Sequence, residues 1–152
     1  MNRSLALGFL FLIGTLSGSQ AQERAPTVSP YAGFEQRTIK ALSAQQMADL
    51  RAGRGMGLAL AAELNGYPGP LHVLELAREL EITDLQRTRV DALFTAMKSE
   101  TIPIGERLIA EEAALDRQFA THSITPDTLA ATVDAIGAAQ SALRAAHSSI
   151  IS

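Results

Sequence analysis

The sequence predicts an all-α fold: a long, bent, antiparallel helical hairpin with additional N-terminal helices, joined to a second copy of itself as a homodimer. Three capped helix starts recur at similar intervals, and apolar residues behind them run at steps of three and four. The 152 residues include no Cys, no Trp and only 5% aromatic side chains, which disfavours a β-sandwich.

Residues 1–21 have the layout of a secretory signal peptide. Arg3 supplies the charge, Leu5 to Leu16 the apolar run, and Ser19-Gln20-Ala21 a small-x-small cleavage site. The competing reading is a membrane anchor, but a spanning helix needs roughly 20 apolar residues and this run is shorter. Cleavage after Ala21 and residence in the periplasm, with no stable membrane anchor, are therefore expected.

Residues 22–41 carry Pro26, Pro30 and Gly33 without a sustained period and read as a flexible N-terminal arm, on which Tyr31, Phe34 and Ile39 offer docking side chains. From residue 42 to residue 152 the signals are helical. Leu42-Ser43-Ala44-Gln45-Gln46, Ile82-Thr83-Asp84-Leu85-Gln86 and Ile124-Thr125-Pro126-Asp127-Thr128 start 40 and 42 residues apart. In each, a hydroxyl can accept from the backbone N–H three residues on. The first two are capping boxes closed by Gln46 and Gln86, whereas the third has Thr128 in place of Gln and adds Pro126 at the first helical position.

The first predicted helix runs from Ala44 to Leu64 and stops at Asn65-Gly66, with a potential break at Gly53-Arg54-Gly55-Met56-Gly57. If it is continuous, Gly53, Gly57 and Ala61 form a smooth stripe at spacing four. A phosphate loop is disfavoured there, because no strand precedes the glycines and no Lys-Ser/Thr follows. Tyr67-Pro68-Gly69-Pro70 is a turn before a short helix over Leu71 to Leu80.

The longest helix should span Asp84 to about Thr121, about 57 Å at 1.5 Å per residue. Pro103 and Gly105 predict a bend near Thr101. The last helix carries a heptad seam of Leu129, Val133, Ile136, Gln140, Leu143, His147 and Ile150. The short turn at His122 to Ile124 makes the two long helices antiparallel, placing Leu129 opposite Phe119 and His147 near Glu100. So small a chain leaves apolar faces uncovered, which is the basis for expecting a homodimer.

Charge narrows the partners. Removing residues 1–21 deletes Arg3, so 13 basic against 16 acidic residues becomes 12 against 16, a net −4. No basic stripe is present, which argues against nucleic acid. The absence of Cys excludes thiol catalysis, thiol redox work and zinc fingers. Nothing resembles a nucleophile elbow, and Glu111 and Glu112 point about 100° apart on a helix, so an enzyme is not expected.

The segments Leu42-Ser43-x-x-Gln46 and Ile82-Thr83-x-x-Gln86, opening helices of a small, cysteine-free, exported chain, resemble the LTxxQ motif of the Spy/CpxP family of periplasmic chaperones and envelope-stress proteins. The resemblance covers residues 42–152. It implies an ATP-independent chaperone, a curved antiparallel dimer that binds unfolded or partly folded proteins, and it carries over no catalytic residue. On the long helix Arg87, Arg89, Lys98, Arg107 and Arg117 alternate with acidic residues, which suits weak, long-range attraction of an unfolded chain. A solvated helix face reads the same way.

The related ZraP and CnrX proteins imply an alternative, a heavy-metal-binding sensor or resistance protein. In the predicted hairpin register, His147 faces Glu100 and Met97, a nitrogen, oxygen and soft sulfur set suited to zinc, copper, nickel or cobalt. A lone His on a heptad seam is more often a satisfied core residue, and no two histidines here stand at i,i+4. His72 is a weaker candidate ligand, and His122 reads as a helix C-terminal residue.

Overall fold

The structure, a computed structural model, describes residues 29–149. The predicted signal segment, the first residues of the predicted arm and Ile150 of the predicted seam lie outside the described residues. The chain divides into two units, residues 1–32 and residues 33–152. In the first, Ser29 to Ala32 form a turn closed by the Ala32 N–H on the Ser29 carbonyl at 3.0 Å. The second holds every helix among the described residues.

These are α1 (Ala44–Arg51), α2 (Leu60–Glu63), α3 (Pro70–Glu75), α4 (Asp84–Ala120) and α5 (Pro126–Ser149), with a 3-10 turn at Phe34–Gln36 before them. No strand occurs among the described residues, so the all-α class holds. None of the described helices is long and apolar enough to cross a membrane. α1, α3 and α5 all pack on α4.

All three helix starts are closed locally. Ser43 and Thr83 form complete capping boxes with Gln46 and Gln86. At α5 the shorter Thr128 replaces Gln without losing reciprocity, since Thr125 Oγ1 accepts from the Thr128 N–H at 3.2 Å and Thr128 Oγ1 accepts from the Thr125 N–H at 2.9 Å. Each box satisfies two donors that a helix otherwise leaves unpaired.

Helix ends are equally local. After α1 the Arg54 N–H reaches the Asp49 carbonyl at 2.9 Å, and the Gly53 N–H reaches that of Leu50 at 3.1 Å. With Gly53 at φ 65° this is a Schellman stop. The same paired bonds recur after α2 around Gly66, in the turns after α3 around Glu81, and after α4 around His122. Glu81 and His122 hold left-handed φ values of 50° and 53°, a conformation that costs L-residues about 1–2 kcal/mol relative to the right-handed region.

The first helix is not continuous. Positive φ at Gly53, Met56 and Gly57 unwinds residues 52–59, so the stripe anticipated for an unbroken helix does not form. α3 starts one residue earlier than anticipated, on Pro70, and gives way to turns after Glu75. α4 runs through Pro103.

The core joins Leu50 of α1, Leu108 and Ile109 of α4, and Ile136, Ala139 and Leu143 of α5. Ile39 and Leu42, bridged to each other, complete it, so the last residues of the predicted arm are anchored. Each large aliphatic side chain buried there contributes about 1.5–3 kcal/mol. Surface ion pairs Lys40–Asp116 at 3.8 Å and Arg51–Glu106 at 3.3 Å add little by comparison.

The buried stripe of α5 differs from the anticipated seam. Thr132, Ile136, Ala139, Leu143, Ala146 and His147 face inward, while Leu129, Val133 and Gln140 are exposed. The small residues Ala139 and Ala146 permit close packing. Thr132 satisfies its hydroxyl by donating to the Thr128 carbonyl at 2.9 Å and accepting from Gln118 Nε2 at 3.1 Å.

α1 meets α4 at a glycine. A methyl group at Gly105 would stand 2.7 Å from the Leu50 carbonyl oxygen, whereas one at Gly137 on α5 would meet nothing within 4 Å. Gly105→Ala should therefore lose about 1–3 kcal/mol through overpacking, despite its better helix propensity. Gly137→Ala should gain about 0.5–1 kcal/mol. Urea unfolding midpoints moving in the same direction for both would show that α1 does not seat on Gly105.

Candidate functional site

The unwound glycine segment roofs a cavity of about 510 Å³. Gly53, Gly55 and Gly57 bring backbone to one wall, Pro70 to His72 of α3 form another, and Phe94, Met97 and Lys98 of α4 with His147 of α5 complete it. Glu63 also contributes to the lining. A glycine turn suits this position because a cavity wall of bare backbone leaves volume for a guest.

Of the residues singled out in the sequence, Met97 and His147 both line this cavity and are 6% and 3% exposed. Glu100 is exposed and is not part of the lining. Among the described residues no group of three His, Asp or Glu side chains converges in a way that would hold a metal ion. His72 lines the cavity, with Nε2 3.6 Å from Glu63 and Nδ1 3.3 Å from Glu75. His122 lies at the stop after α4.

The basic residues separate into two sets. Arg87, Arg89, Arg107 and Arg117 are exposed along α4. Lys98 is half-buried in the cavity wall, with its ammonium 5.6 Å from the centre of the Phe94 ring. It makes no ion pair with a carboxylate among the described residues, whereas the neighbouring Arg54 is held by Asp49 at 2.6 Å.

His147 is the most unusual side chain of the site. Its Nε2 is buried with no hydrogen-bond partner, and its Nδ1 would stand 3.7 Å from a methyl group at Gly55. Burial pushes its pKa below the ordinary imidazole value, and the nearby charge of Glu63 acts in the opposite sense. The hydroxyl of Thr101, one turn beyond Met97 on α4, is also buried without a partner; Thr101 is 0% exposed. Glu112, on the same helix, has its carboxyl pKa raised by burial.

Sequence reading did not foresee Glu63, Gly55 or Phe94 as parts of one site. The usable signal was the run Gly53-Arg54-Gly55-Met56-Gly57, whose glycine density exceeds what a helix stop requires. In comparisons with family models, curated proteins and solved structures, the chain matches none.

Two predictions follow from the buried polar groups. An unfolded imidazole begins to take up protons near pH 6.5, while folded His147 stays neutral to lower pH. The unfolded state thus binds more protons in that interval, so His147 erodes stability as pH falls from about 6.5 to its lowered folded pKa. His147→Met should flatten the decline in urea midpoint between pH 7 and pH 5.5, and an unchanged slope would assign that decline to other groups. Thr101→Val, nearly isosteric, should raise stability by about 1–2 kcal/mol by removing an unsatisfied hydroxyl. A loss of stability would show that the hydroxyl is satisfied in solution.

Proposed function

We propose that the protein is a periplasmic, ATP-independent chaperone-like binder of partly unfolded proteins. One observation carries this reading. Along α4, Leu85 and Leu93 are 61% and 47% exposed, with the exposed cation Arg89 midway between them at spacing four on the same helix face. Around the connection to α5, Phe119, Leu129 and Val133 are exposed as well, beside Arg117.

Large apolar side chains left in water beside mobile cations suit weak contact with an unfolded chain. The cation attracts at range, and the leucines bury a little area once contact is made. Release then needs no nucleotide, because no single contact is strong. The resemblance of the capped segments to the Spy/CpxP family supports the same reading, with α4 and α5 as a long bent antiparallel hairpin and two copies making the functional unit. The metal-binding alternative has less support, since only Met97 and His147 of its three proposed ligands share the cavity.

The test is suppression of aggregation of a reduced model client by the mature protein at near-stoichiometric amounts without ATP. Leu85→Ser combined with Leu93→Ser should reduce protection at least threefold while leaving the circular dichroism unchanged, because neither side chain belongs to the core. No protection by the unaltered protein at several-fold excess would overturn the proposal, and sedimentation mass of the same sample reports whether the acting species is a dimer.

A further inference from the structure

We infer that the cavity beneath the glycine segment is a binding site for a small apolar monocarboxylate, seated with its carboxylate on Lys98 and its body against Phe94, Met97 and Leu71. The inference stands apart from the client-binding reading, which concerns the outer face of α4.

Size and lining set the class of ligand. About 510 Å³ falls within the range of small-molecule sites, which are mostly apolar with a few placed polar groups. Phe94, Met97, Leu71 and Pro70 supply apolar walls, and Gly53, Gly55 and Gly57, alternating with Arg54 and Met56, add backbone to the roof. A highly charged or sugar-like ligand would find too few partners there.

Charge sets the ligand's polar end. Of the cations in the lining, Arg54 is committed to Asp49, whereas Lys98 has no carboxylate partner among the described residues. The Lys98 stem packs against the glycine turn, its Cγ 3.4 Å from where a Gly53 methyl would stand. The chain thus holds a half-buried lysine without a carboxylate partner at the edge of an apolar space, a setting that favours a charge-assisted bond to a carboxylate. Glu63, the one carboxylate of the lining among the described residues, already faces His72 at 3.6 Å.

His147 is the second, independent indication. The imidazole is 3% exposed and lines the cavity, and its Nδ1, on the side of Gly55, makes no hydrogen bond among the described residues. The nitrogen nearest Gly55 is Nδ1, not the buried Nε2, and in the Nδ1–H tautomer it can donate to the second oxygen of a carboxylate. Lys98 would hold the charge and His147 would fix its direction.

The experiment titrates the full mature chain with octanoate, octanol and octylamine, following side-chain methyl and imidazole resonances by NMR. The Met97 methyl and the His147 ring should shift together and saturate with octanoate, with octanol and octylamine at least tenfold weaker. Lys98→Met should weaken octanoate at least tenfold while leaving octanol unchanged, and Lys98→Gln serves as the second variant if the first fails to fold. Equal affinity for octanoate and octylamine, shifts confined to Leu85, Leu93 and Phe119, or octanoate affinity unchanged in both Lys98 variants would each overturn the assignment.

Discussion

The seating of the Leu50 carbonyl on Gly105 is the constraint on which the N-terminal half of the fold depends. With no side chain at that position, α1 closes on α4 to backbone distance. The following residues then have to run along α4 toward its N-terminus: a methyl group at Gly53 would stand 2.9 Å from Thr101 Oγ1, and the next residues roof the cavity beside Met97 and Lys98. Gly105, Thr101 and Met97 are four residues apart and so share one face of the helix. One missing side chain thus aligns the glycine turn with the site beneath it.

The sequence revealed what is local. Capping boxes join residues three apart, so Ser43, Thr83 and Thr125 could be identified as helix starts before any tertiary contact was known. The stops after α2 and α4 were legible for the same reason. Where several side chains compete for one face, hydrophobic pattern alone does not decide which of them turn inward. On α5 the pattern of large hydrophobic residues pointed to Leu129 and Val133, yet the helix turns Thr132, Ala139 and Ala146 inward, because close packing selects volume as well as hydrophobicity.

The cavity was the least legible part. Met97 and His147 were placed together by following two helices past one another, and both line the same space. Glu100, one turn from Met97, is exposed and outside the lining, and Glu63 comes from a helix only four residues long. Only the unwinding at Gly53 and Gly57, expressed in φ values that no hydrophobic pattern encodes, brings that segment over α4. Of the three orphaned buried atoms among the described residues, those of Thr101 and His147 lie around this turn, where local stability is forfeited.

The paired stops and reciprocal starts have a kinetic meaning. Every one of these end-marking bonds spans five residues or fewer, from the Ser43 box to the Tyr67 N–H on the Ala62 carbonyl at 3.1 Å. Rod lengths are therefore defined by neighbours along the chain, and the long-range search reduces to docking segments whose ends are already marked. Chains whose contacts are mostly local fold quickly. Such self-measuring segments shorten the interval in which the folding chain's own apolar side chains are open to aggregation.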